Sequence, residues 1–160
     1  MHIGLIGGIG PAATDLYYRG LIARAASAGR DLELTIVHAD APTLLGHLGS
    51  DDQAAQTAIY LRLTERLARA GAECVVVTSI AGHFCIDAFA PVSPLPVVDM
   101  MVALKASLAA GGMARVGVLG TATVMATGMY GKLGDVAVMA PAGDALGRVH
   151  DAYVATATTG

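Results

Sequence analysis

The stretch Met1 to Tyr18, MHIGLIGGIGPAATDLYY, constrains this chain more than any other, because it reads as an apolar strand, a glycine loop and a helix in immediate succession. His2 to Ile6 is rich in aliphatic residues, Gly7, Gly8 and Gly10 permit a close backbone turn, and Pro11 suits the first turn of a helix. Exposed N–H groups at such a turn favour an anion, and a carboxylate qualifies as well as a phosphate. A dinucleotide fingerprint, G-x-G-x-x-G, is met only loosely: Gly8 and Gly10 are followed by Ala13, and Pro11 falls inside the motif. At this point a dinucleotide site, a carboxylate site and a purely structural turn all remain open.

The same grammar continues along the chain. A helix is expected from Pro11 to Ala28, with Tyr17, Leu21, Ile22 and Ala25 on its apolar face, then a strand from Leu32 to His38. Ala39 to Ser50, with Pro42 and two glycines, reads as a loop carrying His47. Asp51 to Ala70 is a helix striped by Ala55, Ile59, Leu63, Leu67 and Ala70, and Glu73 to Val77 is an apolar run suited to a buried parallel strand. Thr78-Ser79-Ile80-Ala81-Gly82-His83 follows at its carboxyl end, where sites of parallel α/β sheets lie. Beyond Pro91, Pro94 and Pro96 come a short strand at Val97 to Val98 and a helix from Met100 to Ala110. The pattern then restarts: strand Arg115 to Leu119, loop Gly120 to Thr123, helix Val124 to Leu133, strand Val136 to Met139 and helix Asp144 to Thr158. GVLGTAT echoes GLIGGIG, so the predicted fold is a parallel-sheet, Rossmann-like α/β domain at residues 1–98, the first of two pseudo-symmetric halves, with an incomplete second at 99–160.

Bulk composition narrows the partners. With 54% hydrophobic and 14% charged residues and a net charge of −3, the chain is expected to be globular and cytoplasmic, without a basic face for nucleic acid or a span for a membrane. No cleavable leader pattern opens it. Cys74 and Cys85 lack CxxC spacing and read as buried thiols, and no metal-ligand cluster is visible.

IGLIGGIGPAATDLYYR resembles the N-terminal signature of the aspartate/glutamate racemase superfamily, G-G-M-[GS]-x-x-[AS]-T followed by an aromatic pair. RAGAECVVVTSIAGHF resembles its first catalytic block, GGMARVGVLGTATVMATGMYGKL its L-G-T-x-x-T…Y…L block, and RVHDAYVATATTG the helix after it. The resemblance implies two α/β domains facing each other across a cleft and a cofactor-independent amino-acid racemase, with no pyridoxal phosphate and no metal. In such chemistry two side chains, usually cysteines, flank Cα; one removes the proton and the other returns it from the opposite face.

Carried over residue by residue, the resemblance implies Ser79 as the acid/base group on one face, and Gly8, Gly10, Thr78, His83, Thr121 and Thr123 around the substrate carboxylate. The family block C-N-T-x-H reads here Ser79-Ile80-Ala81-Gly82-His83. A thiol titrates near about 8.5 and a serine hydroxyl far higher, so Ser79 needs help that the sequence does not show. Ile80 and Ala81 bring no hydrogen-bonding side chain where the family has Asn and Thr, and the second family Thr falls on Val124, with Thr123 one residue early. The family's second cysteine, in a G-C-T-E block, lies beyond residue 160. Two functions follow as expectations: an amino-acid racemase or epimerase with a non-standard first acid/base residue, working as a homodimer on a small-molecule amino acid or carboxylate, or a degenerate member that binds a small carboxylate or a protein partner without chemistry.

Overall fold

The structure, a computed structural model, describes residues 1–159. It divides into two compact units, Met1–Val98 joined by the chain's end from Ala157, and Asp99–Thr156. The second expected domain runs on to Gly160, which lies outside the described residues.

Unit 1 is built on a parallel sheet of β1 (His2–Gly7), β2 (Glu33–His38) and β3 (Cys74–Val77) in the order β2-β1-β3. Pairing runs from His2 opposite Glu33 to Gly7 opposite His38, and from Ile3 opposite Cys74 to Ile6 opposite Val77. Val97 adds a parallel bridge to Val75. Because β1 lies between two neighbours and under helices on both faces, Ile3 to Gly7 are all buried, which explains a run without polar alternation. Gly4 leaves room for Leu67 of α3 (Gln53–Arg69) on one face, and Gly7 for Thr14 of α1 (Pro11–Ser27) on the other.

The core lies on the α3 side. Ile6, Leu63, Leu67, Val75 and Val77 pack with Leu44 and Leu48 of α2 (Ala41–Ser50) and with Ile86 and Phe89 of α4 (Ile86–Phe89). Tyr60 is wholly buried there, edge-on to Phe89 at 5.4 Å. The expected loop at Ala39 to Ser50 is therefore largely a helix. Asp40 caps it by accepting from Thr43 N–H at 2.9 Å, Pro42 sits in the first turn where no intrahelical donor is needed, and the exposed Gly46 and Gly49 face away from the core.

α1 differs from its expected role. Its stripe of Tyr17, Leu21, Ile22 and Ala25 is placed as a helical period demands, yet no residue of α1 is buried. A groove of about 830 Å³ runs along one flank past Met1, Ile3, Leu21 and Arg24. Another of about 430 Å³ follows Tyr18, Ile22, Leu32 and Leu34.

Unit 2 repeats the strand-loop-helix unit in shorter form. α5 (Met100–Ala110), capped by Asp99, precedes β4 (Arg115–Gly117), which pairs in parallel with β5 (Ala137–Met139). α6 (Ala122–Ala126) begins two residues earlier than the sequence predicts, because Thr121 caps it, and ends well short of Leu133. Gly128, Met129, Tyr130 and Gly131 are all left-handed, with φ of 56°, 61°, 59° and 65°. That run cannot continue a right-handed helix, and costs about 1–2 kcal/mol at each non-glycine position. α7 (Asp144–Thr159) closes the chain. No helix among the described residues is long and apolar enough to cross a membrane.

Candidate active site

The glycine loop of unit 1 follows β1 and turns directly into α1. Gly8 has φ +86° and a Cβ there would collide with the His38 ring and come within 2.5 Å of the Ala39 carbonyl oxygen, so the position admits glycine on two counts. Gly10, at φ +111°, caps α1 with its backbone alone, and a Cβ there would make only ordinary contact with Ala13 Cβ at 3.7 Å.

Two threonines bind this loop to the neighbouring strand. Gly8 N–H donates to Thr14 Oγ1 at 3.1 Å, and the Thr14 and Thr78 hydroxyls meet at 3.0 Å. Thr78 Oγ1 lies 3.0 Å from the Ile6 carbonyl and Thr14 Oγ1 3.3 Å from the Gly10 carbonyl. Thr78 is fully buried. Its hydroxyl is thus a joint between strands, whereas the resemblance marks it as a substrate contact.

The Ser79–His83 turn follows β3, and a 3₁₀ turn at Ala81–Cys85 coils it back on itself. Ser79 Oγ accepts from Gly82 N–H at 3.3 Å, which leaves the serine proton to be donated elsewhere. His83 Nδ1 lies 2.7 Å from the Ser79 carbonyl oxygen. A carbonyl only accepts, so Nδ1 carries hydrogen and the neutral ring keeps its lone pair on Nε2. Behind the turn, Tyr60 donates its hydroxyl to the Gly82 carbonyl at 3.2 Å. Ser79 and His83 are 4% and 1% exposed, so little water reaches either while the turn keeps this shape.

Neither cysteine substitutes for a thiolate here. Burial pushes the Cys85 thiol up to about 11, and burial followed by the charge of Glu73 raises Cys74. Cys74 is only half-buried in β3, against the expectation of a buried thiol. His47 belongs to α2, where its Nδ1 pairs with Gln56 Oε1 of α3 at 2.9 Å, so it sits in a helix and not in the expected loop.

In unit 2, Thr121 is 1% exposed and caps α6 by accepting from Val124 N–H at 3.3 Å. Thr123 is half-buried and its carbonyl accepts from the Thr127 hydroxyl at 2.7 Å. The Ala122 N–H between them donates to His150 Nδ1 at 3.1 Å. Among the described residues no cluster of three or more His, Cys, Asp or Glu side chains could hold a metal ion.

Thr14, Tyr60 and His150 are the residues that reading along the sequence passes over. Thr14 could have been found from the A-T pair of the opening signature. Tyr60 and His150 act across 22 and 28 residues and leave no local pattern.

A parallel α/β unit whose strand ends carry a glycine loop and a serine–histidine turn places the chain among Rossmann-like α/β proteins. Within that class the sequence profile of the Asp/Glu/Hydantoin racemase family matches residues 6–135. The chain belongs to that family. Solved structures of the same fold include an aspartate racemase homologue from Pyrococcus horikoshii OT3, at 22% identity and TM-score 0.75, which covers 94% of this chain and 68% of its own. A candidate Asp/Glu racemase from Yersinia pestis matches at 24% identity and TM-score 0.79, covering 93% and 68%. An aspartate racemase from Picrophilus torridus matches at 19% and 0.69, covering 92% and 65%. The chain thus spans about two thirds of the length of each. Among curated protein sequences none matches it significantly.

Proposed function

We propose that this chain is a pyridoxal-phosphate-independent amino-acid racemase or epimerase in which Ser79 exchanges a proton with the substrate Cα on one face. The family match over residues 6–135 carries the reading. It gains support from the local geometry of unit 1. The Cα–H bond of an amino acid breaks heterolytically only if the developing charge is held by fixed donors in a water-poor setting. Gly82 N–H donates to Ser79 Oγ, which favours the deprotonated serine oxygen that abstraction of the Cα proton would require. Gly8 and Gly10, both at positive φ, shape the loop proposed to line the substrate carboxylate, with His83 of the neighbouring turn as a further substrate contact. Thr121 and Thr123, which lie in unit 2, are proposed as carboxylate contacts on the family resemblance alone. Thr78 belongs to the same reading as the residue that fixes the loop.

Incubation in D₂O with the D- and L-forms of aspartate, glutamate and a panel of other amino acids tests the proposal by NMR. The Cα proton signal of at least one substrate should vanish and optical rotation should decay. Retention of that proton in every amino acid tried would refute catalysis.

A second reading, a carboxylate binder without chemistry, is favoured by one observation. The Ser79 hydroxyl is hydrogen-bonded by a backbone N–H, while the adjacent imidazole nitrogen Nδ1 is turned to the Ser79 carbonyl and not to its Oγ. A serine without a base at its oxygen is a poor proton acceptor. Thermal stabilisation by dicarboxylates without Cα exchange would select this reading.

A further inference from the structure

The first N–H groups of a helix have no partner inside it and must find one in a cap, a side chain, water or a ligand. In α6 the Thr121 hydroxyl takes Val124 N–H and the Thr121 carbonyl takes Met125 N–H at 3.0 Å. Ala122 N–H is met from α7, by His150 Nδ1 at 3.1 Å. A backbone N–H can only donate, so this nitrogen must present its lone pair. The ring is then neutral and carries its proton on Nε2. That is the opposite tautomer from His83, whose Nδ1 faces a carbonyl.

We propose that His150 is a positioning residue of the Thr121 loop: as a neutral imidazole protonated on Nε2, it holds Ala122 N–H and so fixes the backbone from which the Thr121 and Thr123 hydroxyls project. Its relevance to catalysis rests on the reading of those two threonines as carboxylate donors. The residue type matters because the acceptor must reach from another helix on a short, rigid side chain. An imidazolium offers donors at both nitrogens and cannot make this bond. A leucine fills similar space without an acceptor, whereas asparagine places a carbonyl oxygen as many bonds from Cα as Nδ1.

The experiment uses the full chain with ¹⁵N-labelled histidine. In the wild type at neutral pH, His150 Nδ1 should show the shift of an unprotonated ring nitrogen and Nε2 that of a protonated one. The reverse assignment overturns the proposal without any variant. Amide exchange at Ala122 should speed up about tenfold in His150→Leu and return to within about threefold of wild type in His150→Asn. KM for the exchanging amino acid, or the dissociation constant for a dicarboxylate, should rise in the leucine variant and recover in the asparagine one, with kcat moving less. Unchanged Ala122 exchange in His150→Leu, or no recovery in His150→Asn, would overturn the assignment. If the wild type neither exchanges Cα protons nor binds dicarboxylates, the racemase reading and the catalytic relevance of His150 both fall, while the tautomer and the Ala122 exchange still decide whether His150 holds the loop.

Discussion

Gly82 and Tyr60 form a pair whose energetics can be worked from the coordinates. A Cβ added at Gly82 would land on the Tyr60 hydroxyl and also meet Val77 Cγ1 at 3.1 Å and Ile9 Cδ1 at 3.3 Å. Tyr60 cannot swing aside easily: it is wholly buried and packed edge-on to Phe89. Gly82→Ala therefore overpacks a filled region, at about 1–3 kcal/mol. It also breaks the Tyr60 hydrogen bond to the Gly82 carbonyl. Losing that bond costs about 1–2 kcal/mol, toward the low end for a buried acceptor, because the Cys85 thiol at 3.8 Å remains as a weak donor. The sum, about 2–5 kcal/mol, is a large share of the roughly 5–15 kcal/mol typical of a folded domain. Tyr60→Phe alone loses the hydrogen bond to the Gly82 carbonyl without adding a clash and should cost at least about 1–2 kcal/mol. In the double variant the methyl occupies the space the hydroxyl vacated, so the clash with Tyr60 disappears, the tighter contacts with Val77 and Ile9 remain, and the hydrogen-bond loss is counted once. Urea unfolding followed by circular dichroism should then show a double variant more stable than Gly82→Ala alone, with a coupling of at least about 1 kcal/mol. Additive effects would refute the claim that Gly82 is glycine because of the Tyr60 hydroxyl.

Gly8→Ala should destabilise more than Gly10→Ala, because both have positive φ but only Gly8 is walled by His38 and the Ala39 carbonyl; thermal midpoints in the reverse order would refute this. The Asp40 carboxylate is held below its ordinary range, first by the Thr43 hydroxyl and then by the Thr43 N–H. A depressed carboxylate contributes stability above its unfolded value, near about 4, that is lost as pH falls through the folded value. Asp40→Asn should accordingly flatten the acid side of the pH–stability profile, and an unchanged acid limb would remove Asp40 from the account. Both thiols should react slowly with a disulfide reagent at pH 7 and quickly once urea unfolds the chain. Fast native labelling of Cys85 would contradict its burial.

The parallel sheet and the order of its loops were legible because continuous apolar runs followed by glycine or hydroxyl clusters have few other solutions. The helix at Ala41–Ser50 was not, since Pro42, Gly46 and Gly49 look like breakers until Asp40 is recognised as a cap and Leu44 and Leu48 as one buried face. In α3 the apolar stripe locates Leu63 and Leu67 but misses Gln56, Tyr60 and Thr64, which are just as buried. Polar burial depends on partners distant in sequence, His47 for Gln56 and Gly82 for Tyr60, and periodicity cannot report them. The stripe on α1 shows the limit from the other side: the pattern specifies a face, and says nothing about what covers it. At the strand ends the sequence located a glycine loop and the Ser79–His83 turn. It could not say that the Thr78 hydroxyl points back to Ile6, since the direction of a side chain at a strand end depends on its neighbours.

The paired hydroxyls of Thr14 and Thr78 have a consequence for binding. Each has one proton, and the Ile6 and Gly10 carbonyls are the terminal acceptors of a network that also receives Gly8 N–H. Two protons serve two of the three hydroxyl contacts at a time, while Gly8 N–H to Thr14 Oγ1 and Thr78 N–H to the Ile6 carbonyl at 3.1 Å hold in every arrangement, so the glycine loop is tied to α1 and β1 to β3 before any ligand arrives. A ligand meeting this loop finds its shape already set and loses little affinity to ordering it. If the loop receives a carboxylate as proposed, discrimination between ligands comes from the groups around a rigid wall, and variants at Thr14 should weaken all carboxylates alike rather than favour one over another.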